Sequence, residues 1–155
     1  MIQALLFGGD VRLYAITARG MVREAQRIHG LSFVCTAALG RQLMATSMMA
    51  AQLKHEGESL TTMIKGDGPA GNIVCTGRYG AIVKGYVANP SVELPLNEEG
   101  KLDVAGAIGR QGKLTVVKDL SMKEPYIGIC NLLTGEIAED FAQYFTVSEQ
   151  TPSLV

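Results

Sequence analysis

The chain has 155 residues, 47% of them hydrophobic and 19% charged, which suits one domain with a sizeable buried core. Its formal net charge is −1 and its basic residues are scattered, which argues against a broad surface for nucleic acid or for an anionic membrane. No basic-then-apolar signal segment opens the sequence, and no apolar run approaches the roughly 18 residues of a membrane span. We therefore expect a soluble, cytoplasmic protein.

The first residues predict a hairpin followed by a surface helix. Two apolar runs, Ile2–Phe7 and Val11–Thr17, flank a Gly-Gly turn. A helix is predicted from Ala18 to a stop at Gly30, with apolar residues at helical spacing: Met21, Ala25 and Ile28. His29 precedes this stop, so we expect it to stabilise the helix C-terminus rather than to bind a metal.

The next segment predicts a helix that is apolar on every side. Large apolar residues from Leu39 to Leu53 point in all directions around a helical wheel, and Ala, Ser and Thr fill the gaps. Such a helix must be enclosed on all sides, and this one is too short to cross a bilayer, so protein layers must surround it. Its methionines fit a core, with an adaptable apolar surface as the alternative: Met44, Met48 and Met49.

A glycine-punctuated region then predicts a three-stranded meander. The strands are Ser59–Lys65, with Leu60, Thr62 and Ile64 on one face, then "AGNIVCT" and "AIVKGYV", separated by "GDGP" and "GRYG".

The same glycines also match a dinucleotide fingerprint at Gly66, Gly68 and Gly71. A phosphate site needs a helix to begin here, whereas "NIVCTG" is β-branched and soon broken. A Walker-type loop is also disfavoured, because Asn72 and Ile73 stand where Lys and Ser/Thr belong. We expect hairpin turns, and a small-ligand or nucleotide-binding enzyme that uses the Gly66–Gly71 loop remains the alternative.

The C-terminal third predicts a short helix in "LDVAGAIG" with Asp103 near its start, a strand pair in "KLTVVKDL" and "YIGICNLL", and a last helix. The apolar face of that helix is Ile137, Phe141, Tyr144 and Phe145. The opposite, polar face is Glu136, Glu139, Asp140 and Gln143. The adjacent carboxylates Glu139 and Asp140 are expected to be solvated charges.

No residue pattern supports catalysis or metal binding. The three cysteines are odd in number, widely spaced and without a Cys-x-x-Cys pair, so we expect buried, reduced thiols: Cys35, Cys75 and Cys130. Cys35 has no neighbouring base, Ser47 lies inside the apolar helix, and His29 is far from His55. We expect no enzyme and no catalytic, cofactor or metal residues in this chain.

Taken in order, several segments resemble the redox-regulated heat-shock holdase family, the 33 kDa chaperonins. They are "ALGRQLMATSMMAAQLK", "GDGP", "YVANPSVELPLNEEGKLDV", "LTVVKDL" and "EDFAQYFTVSEQTPS". The resemblance implies an α+β fold in which two mainly antiparallel β-sheets enclose a buried central helix, in β/α/β layers. It also implies an ATP-independent chaperone that binds unfolding client proteins under oxidative stress, and a homodimer.

One departure from the family concerns its zinc switch, which is built from a Cys-x-Cys and a Cys-x-x-Cys motif. None of the three cysteines matches these motifs, so the zinc cysteines are expected beyond residue 155. We expect residues 1–155 to be a truncated N-terminal core domain for client binding and dimerisation, without the C-terminal redox domain. A passive dimerisation domain, with client binding elsewhere, is a further alternative.

Overall fold

The structure, a computed structural model, describes residues 1–155 and contains seven strands and four α-helices. The strands are β1 (Ile2–Leu6), β2 (Val11–Ala15), β3 (Ser59–Gly66), β4 (Ile73–Arg78), β5 (Ile82–Val87), β6 (Gly112–Asp119) and β7 (Tyr126–Asn131). The helices are α1 (Arg19–His29), α2 (Phe33–Ala50), α3 (Val104–Ile108) and α4 (Ala138–Val147). Every element predicted from the sequence is present, which confirms the predicted order of strands and helices.

The N-terminal hairpin and α1 have the turn residues that the sequence predicted. β1 pairs with β2 in an antiparallel two-stranded sheet, and Gly8 in the connection has a φ of 70° that favours glycine. α1 ends at His29, and Gly30 closes it in the left-handed conformation.

Helix α2 is longer than predicted and is enclosed, as predicted. It begins at Phe33 rather than near Leu39, because the Ser32 side chain accepts a hydrogen bond from Cys35 N and caps the helix. It ends at Ala50, before Leu53. Phe33 alone is exposed among its residues; Met49 is buried, while Met44 and Met48 are half-buried. None of the helices combines the length and apolar character that crossing a bilayer requires.

The remaining elements surround α2. The five-stranded sheet covers one side through β3, β4 and β5, and α1, α3 and α4 contact the helix elsewhere. The β1–β2 hairpin faces α2 across a cavity that is lined by Arg12 and Tyr14 on the hairpin and by Met48 and Met49 on the helix. The α+β fold with two antiparallel sheets is therefore confirmed.

Buried polar groups fix α2 on the sheet. Gln42 Nε2 donates to Thr62 O and Ile73 O at 3.1 and 3.2 Å, so the helix bonds to both β3 and β4. Thr46 Oγ1 lies 2.8 Å from Thr62 Oγ1 and 2.7 Å from Gln42 O. Because buried polar groups need specific partners, these bonds select one position of the helix on the strands.

The five-stranded sheet is antiparallel throughout, with the strand order β5-β4-β3-β6-β7. The meander of β3, β4 and β5 is confirmed. β6 follows β5 in the chain but pairs with β3, so that Met63 lies opposite Thr115. This non-consecutive pairing places β3 at the centre of the sheet.

The structure corrects one prediction for α4. Asp140 is not a solvated charge opposite the apolar residues but is fully buried, whereas its neighbour Glu139 is exposed. The reason is local: the loop before α4 turns its backbone N–H groups inward, and the Asp140 carboxylate accepts hydrogen bonds from them. A buried carboxylate with several N–H partners is a structural cap.

Candidate functional site

The Gly66–Gly71 loop is a connection between strands, as the sequence predicted. Gly68 N donates to Ile108 O at 2.8 Å and Ala70 N donates to Ala107 O at 2.9 Å, so the loop bonds to the C-terminal end of α3. A Cβ at Gly68 would lie 2.4 Å from Ala107 O, which explains why glycine is required there. These N–H groups already have acceptors, and a strand begins at Ile73, so the geometry of a phosphate loop is missing.

The three cysteines are free and buried, as predicted, and they lie in three separate elements: α2, β4 and β7. Burial raises the pKa of the Cys75 thiol to about 12 and also raises the pKa of Cys130, while Cys35 Sγ contacts Asn89 O at 3.3 Å. Neutral thiols of this kind are poor nucleophiles and poor metal ligands. No three His, Cys, Asp or Glu side chains converge as a metal site requires, so the residues present do not fit the family's zinc switch.

A second cluster of titratable groups, between β6 and α4, has a structural explanation. Glu149 Oε1 accepts from Lys118 Nζ at 2.5 Å and from Tyr144 Oη at 2.6 Å. The Lys118 ammonium also lies 5.7 Å from the centre of the Tyr126 ring, and Tyr126 Oη donates to Ser148 O. These contacts join the end of α4 to the sheet.

The most distinctive surface is the side of the five-stranded sheet that points away from α2, which we call the outer face. It consists of the side chains that alternate with the buried ones along each strand. The register places one residue from each strand in a continuous row across the sheet, which we call the apolar row. From β5 to β7, its members are Tyr86, Val74, Met63, Thr115 and Ile129.

The apolar row is open to solvent. Tyr86 is 49% exposed, Met63 36% and Ile129 52%, while Val74 and Thr115 are half-buried. Val117 and Ile127 extend the apolar surface next to the row, because these two residues pair directly on β6 and β7. Five strands about 4.8 Å apart make the row roughly 19 Å long, enough to contact several residues of an extended peptide.

Cationic side chains stand on both sides of the apolar row. Lys65 and Lys113 are direct cross-strand neighbours on β3 and β6, and Lys84 and Arg78 lie on β5 and β4. All four are exposed and none has an ion-pair partner within the chain. Asp119 is the single carboxylate on the outer face, and its Oδ1 accepts from Ser121 N.

A second apolar surface surrounds the hairpin. Ile2, Leu5 and Phe7 are exposed, and a cavity of about 450 Å³ separates the hairpin from α2 and α4. The residues that line this cavity include Met48, Phe141, Leu154 and Val155.

Sequence reasoning identified the strands but missed the apolar row. Strand alternation was the available signal, because Thr62 and Ile64 face inward and Met63 between them must face outward. The order of the strands was not readable from alternation, so the members of the row could not be assembled from the sequence.

Comparison with known proteins supplies the family. The family model described as "Hsp33 protein" matches residues 1–155. The 33 kDa chaperonin of Clostridioides difficile (strain 630) is 50% identical over 155 residues, which is 100% of this chain and 53% of that protein. The 33 kDa chaperonin of Thermoanaerobacter sp. (strain X514) is 48% identical over the same shares.

A solved structure agrees with the fold. The crystal structure of the 33 kDa chaperonin (heat shock protein 33 homolog) from Thermotoga maritima aligns with a TM-score of 0.92 and 47% sequence identity. The alignment covers 97% of this chain and 51% of that chain, so this chain spans about half the length of the relatives it matches. The match along all of its residues shows that the chain belongs to the Hsp33 family.

Proposed function

We propose that this chain is the client-binding core of an ATP-independent holdase chaperone that binds unfolding proteins under oxidative stress. Membership in the Hsp33 family supports the chaperone function. The observation that carries the proposal is the apolar row, a line of mostly apolar, largely exposed side chains across the sheet. An exposed apolar patch of this kind is typical of a protein-interaction site.

The mechanism is the burial of apolar surface. An unfolding protein exposes side chains that its core normally buries, and these side chains would lie against Tyr86, Met63 and Ile129. Full burial of one large apolar side chain is worth roughly 1.5–3 kcal/mol, whereas association costs at least about 4 kcal/mol. A few such contacts therefore give weak, reversible binding, which holds a client without nucleotide hydrolysis and allows its release.

Redox control is not located in residues 1–155 under this proposal. The three cysteines are buried in the core, and their side chains do not form the thiolate cluster that a zinc switch needs. We therefore propose that the chain binds no stoichiometric zinc and that it holds clients without an oxidant. Cytoplasmic location and homodimer formation belong to the same proposal.

The test is an aggregation assay in which light scattering follows a heat-unfolded client with and without the chain. We expect the chain to suppress scattering, and we expect a Tyr86→Ser/Ile129→Ser variant to lose most of that suppression. The matched control is Ile28→Ser/Met122→Ser, which removes two apolar side chains outside the outer face that are even more exposed, at 59% and 72%. Equal suppression by the two double variants would contradict the assignment of clients to the outer face.

The exposed hairpin favours a second candidate function, that of a passive dimerisation domain. Its side chains Leu5 and Phe7 are 64% and 80% exposed, so they offer an apolar contact for another chain. A domain of this type forms dimers in sedimentation experiments but does not suppress aggregation. The scattering assay therefore separates the two candidates.

A further inference from the structure

We propose that the outer face selects unfolded segments in which acidic residues are interspersed with apolar ones. This inference rests on the proposed function and specifies the class of client. It follows from the positions of four unpaired cations around the apolar row: Lys65, Lys113, Lys84 and Arg78.

Lys65 and Lys113 form a like-charged pair within the sheet. The register places them directly opposite each other on the central strand β3 and its neighbour β6, and like charges at such positions destabilise a sheet. Lysines at the edge of a sheet protect it against aggregation, but β3 and β6 are both flanked by other strands. Edge protection therefore does not account for this pair, whereas an anionic partner would relieve its repulsion.

Lys84 and Arg78 stand on the opposite side of the row. Lys84 lies two residues before Tyr86 on β5, and Arg78 on β4 is its diagonal neighbour, since Arg78 pairs with Ile82 and Thr76 pairs with Lys84. Two residues along a strand span about 7 Å, so Lys65 and Lys113 stand at that distance on one side of the row and Lys84 on the other, whereas Arg78, four residues from Val74, lies about twice as far away. An extended segment lying along the row would have cations on both flanks.

The outer face is more positively charged than the chain as a whole. Although the chain carries a net charge of −1, the outer face carries four cations against Asp119. The ion pairs of the chain all lie elsewhere, between Arg27 and Glu24, Arg41 and Glu136, Lys101 and Glu99, and Lys118 and Glu149. The cations of the outer face are thus free to pair with a bound partner, and like charges on a client would be repelled.

The apolar row favours a polypeptide over a polyanion such as nucleic acid. A polyanion is bound by dense phosphate contacts, whereas here Tyr86, Met63 and Ile129 occupy the middle of the surface and the cations lie at its sides. A partner that contacts both the apolar row and the cations must carry apolar side chains in its centre and carboxylates beside them.

The test uses fluorescent unstructured peptides that share the same apolar residues and differ in the residues interspersed between them, which are Glu, Ser or Lys. Fluorescence anisotropy at low ionic strength should show about fivefold tighter binding of the Glu peptide than of the Ser peptide, and weaker binding of the Lys peptide. About 1 M salt should abolish these differences, because exposed charges are then screened. A Glu-rich peptide without apolar residues should bind poorly.

Substitutions locate the effect. Lys65→Gln/Lys113→Gln should lower the Glu-to-Ser ratio of affinities from about five to about two, because Lys84 and Arg78 remain. The control Arg23→Gln/Lys54→Gln removes two exposed cations outside the outer face and should keep the ratio. Circular dichroism melting should show that the first variant is at least as stable as the parent chain, because it removes a like-charge pair.

Three results would overturn the inference. Equal binding of the Glu and Ser peptides overturns the charge selection and leaves the proposed holdase intact. If the purely acidic peptide binds as tightly as the Glu peptide with apolar residues, the surface is a polyanion site instead. Absence of binding for every peptide, together with unsuppressed client aggregation, overturns both the inference and the proposed function.

Discussion

The carboxylate of Asp140 accepts a hydrogen bond from Leu133 N at 2.7 Å, across the turn that leads from β7 into α4. The same carboxylate accepts from Thr134 N at 3.1 Å and, through Oδ2, from Ile137 N at 3.1 Å. Ile137 has a φ of 62°, which is unusual for a β-branched residue. Asp140 therefore holds a strained turn in place and positions α4 beside the sheet.

Removal of this carboxylate should destabilise the fold. We expect Asp140→Ala to lower the free energy of unfolding by about 2–4 kcal/mol, because it leaves several buried N–H groups without acceptors. The free energy of unfolding of Asp140→Asn should lie between those of the wild-type chain and Asp140→Ala, since one side-chain oxygen remains as an acceptor. Urea unfolding followed by circular dichroism measures the effect, with the exposed neighbour Glu139→Ala as control within about 0.5 kcal/mol. Equal midpoints for Asp140→Ala and Glu139→Ala would show that the cap is unimportant.

Glu149 should make stability depend on pH. Burial acts to raise its pKa, but hydrogen bonds from Lys118 and Tyr144 outweigh burial and lower the pKa below its usual value. A carboxylate with a lowered pKa stabilises the fold above its unfolded pKa of about 4.3, and this contribution disappears as the pH falls through the folded value. Near neutral pH, the wild-type chain should therefore unfold at a higher urea concentration than Glu149→Gln.

That difference in midpoint should shrink as the pH falls below about 4.3. Glu98→Gln is the matched control, because Glu98 is exposed and forms no ion pair. A difference between wild type and Glu149→Gln that stays constant down to acid pH would contradict the role of the Lys118–Glu149 pair.

Two glycines should respond in opposite directions to the same substitution. Gly68→Ala should cost more than about 1 kcal/mol, because the new Cβ would lie 2.4 Å from Ala107 O, a backbone atom that cannot move freely. Gly20 lies in α1 with no atom within 4 Å of a Cβ, so Gly20→Ala should stabilise by about 0.4–1 kcal/mol. Thermal melting of both variants measures this contrast, and a Gly68→Ala variant as stable as the parent would refute the close contact with α3.

The Gly66–Gly71 loop should not bind nucleotides. A ligand at a hundred times its Kd adds about 2.7 kcal/mol of stability, which is easily seen as a rise in melting temperature. We expect no such rise with ATP or NAD, because the N–H groups of Gly68 and Ala70 bond to α3. A rise with either nucleotide that Gly68→Ala abolishes would restore the nucleotide-binding alternative.

The cysteines should react slowly in the native state. All three are buried, and burial raises the pKa of Cys75 to about 12, so little thiolate is present near neutral pH. A maleimide should label them only as fast as the chain unfolds, whereas Ser91→Cys adds an exposed thiol that labels at once. Suppression of client aggregation should likewise be equal with and without peroxide. Rapid labelling of a native cysteine would point to redox chemistry within these residues.

Local patterns in the sequence predicted most of the elements. Alternation along β3 placed Leu60, Thr62 and Ile64 on one face, and all three are buried. The all-round apolar character of α2 predicted its enclosure, because an apolar surface on every side requires cover on every side. The prediction that Asp140 is solvated was wrong for a physical reason. Its position in the helix is compatible with a solvated face, and only the turn before α4 shows that backbone N–H groups there need a carboxylate as acceptor.

By itself the sequence determined the positions of the strands and helices, the buried central helix, the turn character of the glycines and the resemblance to the 33 kDa chaperonins. The tertiary structure alone decided that β6 lies beside β3, and this pairing assembles both the apolar row and the Lys65–Lys113 pair. The physical reason is that periodicity reports which way a side chain points along its own element, whereas a surface is made by neighbours that are distant in sequence.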